Sequence, residues 1–132
     1  MSHPKRNDPF AELYGEFSDR LRGDRWQPDV DVFETEKAIV VRVDLAGVRS
    51  GDLRVTVDRS MLRISGVRVS GETCEVKRLH QMEIASGPFE RRVRVPVAFD
   101  RDQVTAHLSD GFLTVSLAKR SPVRRTVKVD SE

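Results

Sequence analysis

Cys74 and the three histidines His3, His80 and His107 are the side chains in this chain best able to hold a metal or carry a proton at neutral pH. Their spacing argues against both roles. The histidines stand in three separate regions, and no pair has the separation that puts two ligands on one helix face or one hairpin. Cys74 is the only cysteine, so an internal disulfide and a Cys-pair metal site are excluded, and the thiol fits a reducing compartment. Serine is plentiful, but no Gly-x-Ser-x-Gly elbow presents one as a nucleophile. The chain has no Gly-x-Gly-x-x-Gly turn and no Gly-Lys-Ser/Thr loop to cradle phosphates. Asp29, Asp31, Glu34, Asp44 and Asp58 sit on or beside β-patterned segments, where acids keep strand faces and edges soluble. The sequence therefore predicts no enzyme, no catalytic residue, no cofactor and no metal.

Charge narrows the partner classes. Lys plus Arg number 23 against 21 Asp plus Glu, a formal charge of +2 in 132 residues. Basic residues gather at Arg91, Arg92 and Arg94 and again at Lys119, Arg120, Arg124 and Arg125. Aromatic residues are 6% of the chain and are not interleaved with these clusters, so a base-stacking platform is missing and nucleic acid is not the expected partner. The first residues lack the apolar run of a secretory signal, and no stretch approaches the roughly 18 apolar residues of a membrane helix. A cytoplasmic protein with no membrane span is the expectation.

What remains is apolar surface, and three segments position it. Residues 1–28 form an arm. Asp8 followed by Pro9 is a helix start, and Phe10, Leu13, Tyr14, Phe17 and Leu21 then recur at spacings of three and four, which predicts a short amphipathic helix ending near Gly23. A helix of that length is marginal in water, so its stripe must pack on a domain, another subunit or a bound protein.

Residues 29–119 switch to a period of two. Ile39, Val41, Val43 and Leu45 alternate with more polar positions, as do Leu53, Val55 and Val57, Leu62 and Ile64, Val93 and Val95, Val104, Ala106 and Leu108, and Leu113, Val115 and Leu117. Turn signals separate them, the strongest being Asp110-Gly111 between two alternating runs. Seven or eight short strands joined this way predict an all-β, immunoglobulin-like antiparallel sandwich. One connection is unlike the others. Residues 67–81 are long, polar and weakly alternating, with Val67, Val69, Cys74 and Val76 spaced around Gly71, and a connection of that length has contacts to make elsewhere.

Residues 120–132 form an extended, flexible tail. Arg120-Ser121-Pro122 breaks the last strand, and Val127-Lys128-Val129 then places two β-branched side chains on one side of an extended chain. Such a pair cannot fold alone but can dock on a sheet edge, with main-chain hydrogen bonds and two side-chain pockets.

Several segments, in order, resemble one family, the α-crystallin-domain small heat-shock proteins, or Hsp20 proteins. Asp8-Pro9-Phe10 through Leu13 is similar to the opening of many bacterial members, and Trp26-Gln27-Pro28-Asp29-Val30-Asp31-Val32 to the lead-in to the first domain strand. Val43-Asp44-Leu45-Ala46-Gly47-Val48 resembles the family's Asp-Leu-Pro-Gly-Val strand end, with Ala46 in place of proline. Gly87-Pro88-Phe89-Glu90-Arg91 and its continuation to Pro96 resemble the Gly-x-Phe-x-Arg segment. Ala106 through Val115 matches the Ala-x-x-x-Asn-Gly-Val-Leu-Thr-Val signature, with Asp110 and Phe112 as departures.

The resemblance implies an ATP-independent holdase that binds partly unfolded client proteins under stress and passes them to ATP-dependent chaperones. It implies a dimer as building block of a larger homo-oligomer. The dimer contact would be made by a swapped strand within the long connection, carrying Val67, Val69, Cys74 and Val76, and by Arg91. Val127 and Val129 would stand for the family's Ile-x-Ile tail motif and dock between strands carrying Leu53, Val55, Val57 and Val104, Ala106, Leu108. The arm residues Phe10, Leu13, Tyr14, Phe17 and Leu21 would add oligomer and client contacts. Leu79 replaces an aromatic that many relatives place before His80, which implies a weaker swapped-strand anchor. Valine for isoleucine in the tail removes one CH2 at each position, at about 0.8 kcal/mol per buried CH2, and implies weaker docking. The alternative is a related sandwich, the CS or p23 type of co-chaperone, acting on one specific partner.

Overall fold

A computed structural model describes residues 25–69, 75–120 and 126–132. The arm stripe from Phe10 to Leu21 and Cys74 lie outside the described residues.

The period-two segments form seven strands: β1 (Val30–Glu34), β2 (Ala38–Asp44), β3 (Leu53–Asp58), β4 (Met61–Arg68), β5 (Gly87–Arg94), β6 (Phe99–Ser109) and β7 (Phe112–Lys119). A 3-10 turn, Ser50–Asp52, leads into β3. Four strands make one antiparallel sheet in the order β1-β2-β7-β6, and three make the other in the order β3-β4-β5. This is the predicted all-β sandwich.

The core is where the alternation places it. Ile39, Val41, Val43 and Leu45 from β2 and just beyond it face Leu113, Val115 and Leu117 from β7, and Leu62, Ile64 and Phe89 close over them from the other sheet; all are buried. No polar or charged side chain is buried among the described residues, so the interior holds the sheets together by apolar packing.

Tight turns set the register. Asp110 (φ 53°) and Gly111 (φ 81°) both take the left-handed conformation, the pair of positive φ values that a two-residue hairpin between right-twisted strands requires. Gly66 is needed for a different reason. A Cβ there would overlap the Asp52 carbonyl oxygen and stand 2.9 Å from Cζ of Phe89, so the absence of a side chain lets the turn before β3 sit against β4.

The segment ahead of β1 belongs to the sandwich. Trp26 pairs with Phe89 as an isolated parallel bridge: its N–H donates to the Pro88 carbonyl (3.2 Å), and Glu90 N–H donates to the Trp26 carbonyl (3.1 Å). Trp26 and Pro28 are both buried. The chain thus touches the outer edge of β5 before crossing to the other sheet as β1. That crossing puts β5 and β1 on one flank and leaves β3 and β6 as the edges of the opposite flank.

Candidate functional site

Three apolar features are not closed by contacts among the described residues. The first is the β3/β6 flank. Leu53, Val55 and Val57 are half-buried, each pointing toward the core while the outward residues Arg54, Thr56 and Asp58 are exposed. Across the flank Val104 and Leu108 are half-buried in the same way, and Ala106 between them is exposed. β3 and β6 are each hydrogen-bonded to one neighbour within their sheets, so each offers a second edge of main-chain donors and acceptors. The combination is a groove with apolar walls.

The second feature is the tail. Residues 126–132 are exposed throughout, and Val127 and Val129 are 78% and 87% exposed. They do not dock on their own sandwich.

The third is the β1 edge with the long connection. Among the described residues β1 pairs only with β2, and Val32 and Phe33, on its two faces, are 44% and 47% exposed. Residues 75–86 have no regular strand, although Val76 is half-buried and Ile84 is 77% exposed. Val67, at the end of β4, and Val69 beyond it are also exposed. Arg91 is half-buried on β5 and its Nη1 donates to the Pro28 carbonyl at 3.3 Å.

Two polar constructions that the sequence did not disclose close the β5 edge of the opposite flank. Trp26 lies against Phe89 with ring centroids 5.1 Å apart, and its indole N–H donates to the Gly87 carbonyl at 3.1 Å. The Arg68 guanidinium stacks over the indole, 4.2 Å from the ring centroid. It donates through Nε to the Ala85 carbonyl (2.8 Å) and through Nη1 to the Ala46 carbonyl (3.2 Å), tying the end of the long connection to the β2 end. Burial lowers the Arg68 pKa, while Asp44 nearby acts in the opposite sense.

Glu90 is the second construction. It accepts from Arg63, Arg92 and Arg25 at 3.1, 3.0 and 2.7 Å. Arg63 and Arg92 are direct cross-strand neighbours, a like-charge pair that would oppose sheet formation without the shared carboxylate. The Arg63 hydrogen bond is the leading cause of a Glu90 pKa below the ordinary carboxylate value, with Arg92 adding to it and desolvation opposing. The register that brings these residues together is what the sequence alone did not reveal.

No group of three or more His, Cys, Asp or Glu residues has the geometry of a metal site among the described residues, and no described helix is long and apolar enough to cross a membrane. His80 and His107 are exposed, one in the long connection and one on β6.

The Hsp20/alpha crystallin family model matches residues 31–130. Among curated proteins, the "21.9 kDa heat shock protein" of Oryza sativa is 42% identical over 110 residues, covering 74% of this chain and 53% of its own length. The "17.8 kDa class I heat shock protein" of Arabidopsis thaliana is 34% identical over 128 residues, covering 94% of this chain and 80% of the relative. Among solved structures, heat shock protein 16.0 from Schizosaccharomyces pombe superposes with a TM-score of 0.71 at 27% identity, covering 92% of this chain and 90% of that one. The hspA structure from Xanthomonas axonopodis gives 0.66 at 33% identity, with 73% and 96% covered.

Proposed function

Because the chain belongs to the Hsp20/alpha crystallin family, we propose that it is an ATP-independent holdase, a small heat-shock protein that captures partly unfolded proteins and keeps them from aggregating. The observation that carries this proposal is the open β3/β6 flank, an apolar groove on a sandwich whose interior is otherwise complete. An enzyme would need converging polar groups at such a place. The groove offers aliphatic walls and strand edges, which recognise extended apolar chain without regard to its exact sequence.

Two modes of self-association follow. The tail valines of one copy dock in the groove of another, covering both surfaces in the resting assembly. Residues within the 67–78 stretch add as a strand to the exposed edge of β1 on a partner, where Val32 and Phe33 await cover, and make the dimer with Arg91 nearby. Stress loosens the tail contacts. The groove and the apolar arm then become available to clients whose own cores have opened, and ATP-dependent chaperones complete refolding. The setting is the cytoplasm. The alternative of a CS or p23-like module with one specific partner is disfavoured by the Val-x-Val tail, which such a module does not need.

Light scattering from a heat-denatured client, with the full chain added and no nucleotide present, tests the proposal. Suppression that grows with dose supports a holdase. Unchanged scattering near equimolar dose, at temperatures where this chain stays folded, supports the single-partner module instead.

A further inference from the structure

One end of the β3/β6 groove gathers three arginines. At the end where β3 finishes and β6 begins, Arg59, Arg101 and Arg120 line a shallow pocket of about 350 Å³ whose remaining walls are Ser60, Val95, Val97, Ala98 and Phe99. Arg59 follows the last residue of β3, Arg101 lies three residues before the groove residue Val104, and Arg120 follows β7. None of the three makes an ion pair among the described residues. Asp58, Asp100 and Asp102 occupy the same stretches but do not line the pocket, and the Asp100 carboxylate accepts from the Asp102 backbone N–H at 3.0 Å. The opposite end, where β3 begins and β6 finishes, carries the exposed acids Asp52 and Asp110, with the exposed Arg49 and Arg54 on the stretch around Asp52.

The tail is polarised as well. Arg124 and Arg125 precede the valine pair, and Asp130 and Glu132 follow it. The described residues 126–132 are exposed, so the acids do not occupy the arginine pocket of their own chain. We infer that Arg59, Arg101 and Arg120 form an acid-binding subsite that receives Asp130 and Glu132 from the tail of a second copy, and so fixes the direction in which that tail lies in the groove. This rests on the docking of Val127 and Val129 proposed above. From Val129 to Glu132 an extended chain advances about 10 Å, which carries the acids past the end of the valine contacts. In the reverse direction, Arg124 and Arg125 would meet the three arginines and the tail acids would meet Asp52 and Asp110. A valine pair alone is nearly symmetric along its length, so the flanking charges are what distinguish the two directions.

Charge reversal in the full chain tests this, read as the concentration at which the assembly half-dissociates in native mass spectrometry and sedimentation. D130K/E132K and, separately, R59E/R101E should each raise that concentration by roughly three- to tenfold, and the difference from the unaltered chain should shrink in about 0.5 M salt. Combining all four substitutions in one chain should restore assembly, because the pairs are re-formed with signs exchanged. A thermal unfolding midpoint unchanged in R59E/R101E shows that the sandwich is intact. V127A/V129A separates the two levels of the proposal. If it dissociates the assembly while both charge reversals leave it unaltered, valine docking stands and the acid subsite is overturned. If the valine variant changes nothing either, docking and subsite both fall. Dissociation by both reversals without rescue in the quadruple variant also overturns the pairing.

Discussion

Along the β5 flank, residues 25–28 lay Trp26 across Phe89, bury Pro28 and place Arg68 over the indole, so the edge of the sandwich is sealed by the same chain that built it. Along the β3/β6 flank, Leu53, Val55, Val57, Val104 and Leu108 reach the core but keep part of their surface in water. Both flanks begin from the same problem, a sheet edge beside an apolar interior. One is solved within the molecule by a single aromatic residue and a stacked cation. The other is left with an aliphatic groove, while two exposed valines of suitable spacing hang from the same chain. A flank closed internally contributes to the stability of one subunit. A flank left open makes stability of the groove depend on what binds there, and hence on concentration and temperature.

Substitutions on the two flanks should separate these roles. The largest effect is expected for Trp26→Ala, which removes a buried aromatic and the platform under Arg68; a loss of about 3–5 kcal/mol of subunit stability should appear in denaturant unfolding at dilutions where assembly is absent. Truncating the tail valines, V127A/V129A, should leave that dilute-solution stability unchanged and weaken each docking event by about 3 kcal/mol, taking two methyl groups per residue. Sedimentation against concentration measures it. Enlarging them, V127I/V129I, should act in the opposite sense by about 1–2 kcal/mol and shift the mass distribution upward. Gly66→Ala should cost about 1–3 kcal/mol through overlap at the Asp52 carbonyl, and should loosen the start of β3 at one end of the groove.

The smallest effect is the pH response of Glu90. Its folded-state pKa lies below the ordinary value, so the carboxylate contributes stability above the unfolded-state pKa and that contribution is lost as pH falls through the folded one. Glu90→Gln should therefore flatten the decline in stability through the acid range below about pH 4.5 and leave the tail contacts unchanged; acid titration of unfolding midpoints checks this.

The strands were legible because alternation is local. Ile39, Val41, Val43, Leu113, Val115 and Leu117 declare an inward face by their spacing alone, and Asp110-Gly111 declares the turn between β6 and β7. Val30 and Val32 share this spacing, yet Val32 is exposed, because β1 is the outer strand of its sheet and no described residue covers that position. The groove walls were legible as strand residues. Their partial exposure was not, since it depends on β3 and β6 both being edges. The Glu90 cluster, the Arg68 stack on Trp26 and the arginine pocket join residues far apart in the chain, and nothing in a local pattern announces them.

Hydrogen exchange of the full chain across a dilution series tests most directly whether the open flank is covered by another copy. The expected result is protection of β3, β6 and residues 126–132 that rises together with concentration, while residues 25–28 exchange at a rate independent of it. Concentration-independent exchange in β3 and β6, with assembly still present by mass, would contradict the claim and place the subunit contacts elsewhere.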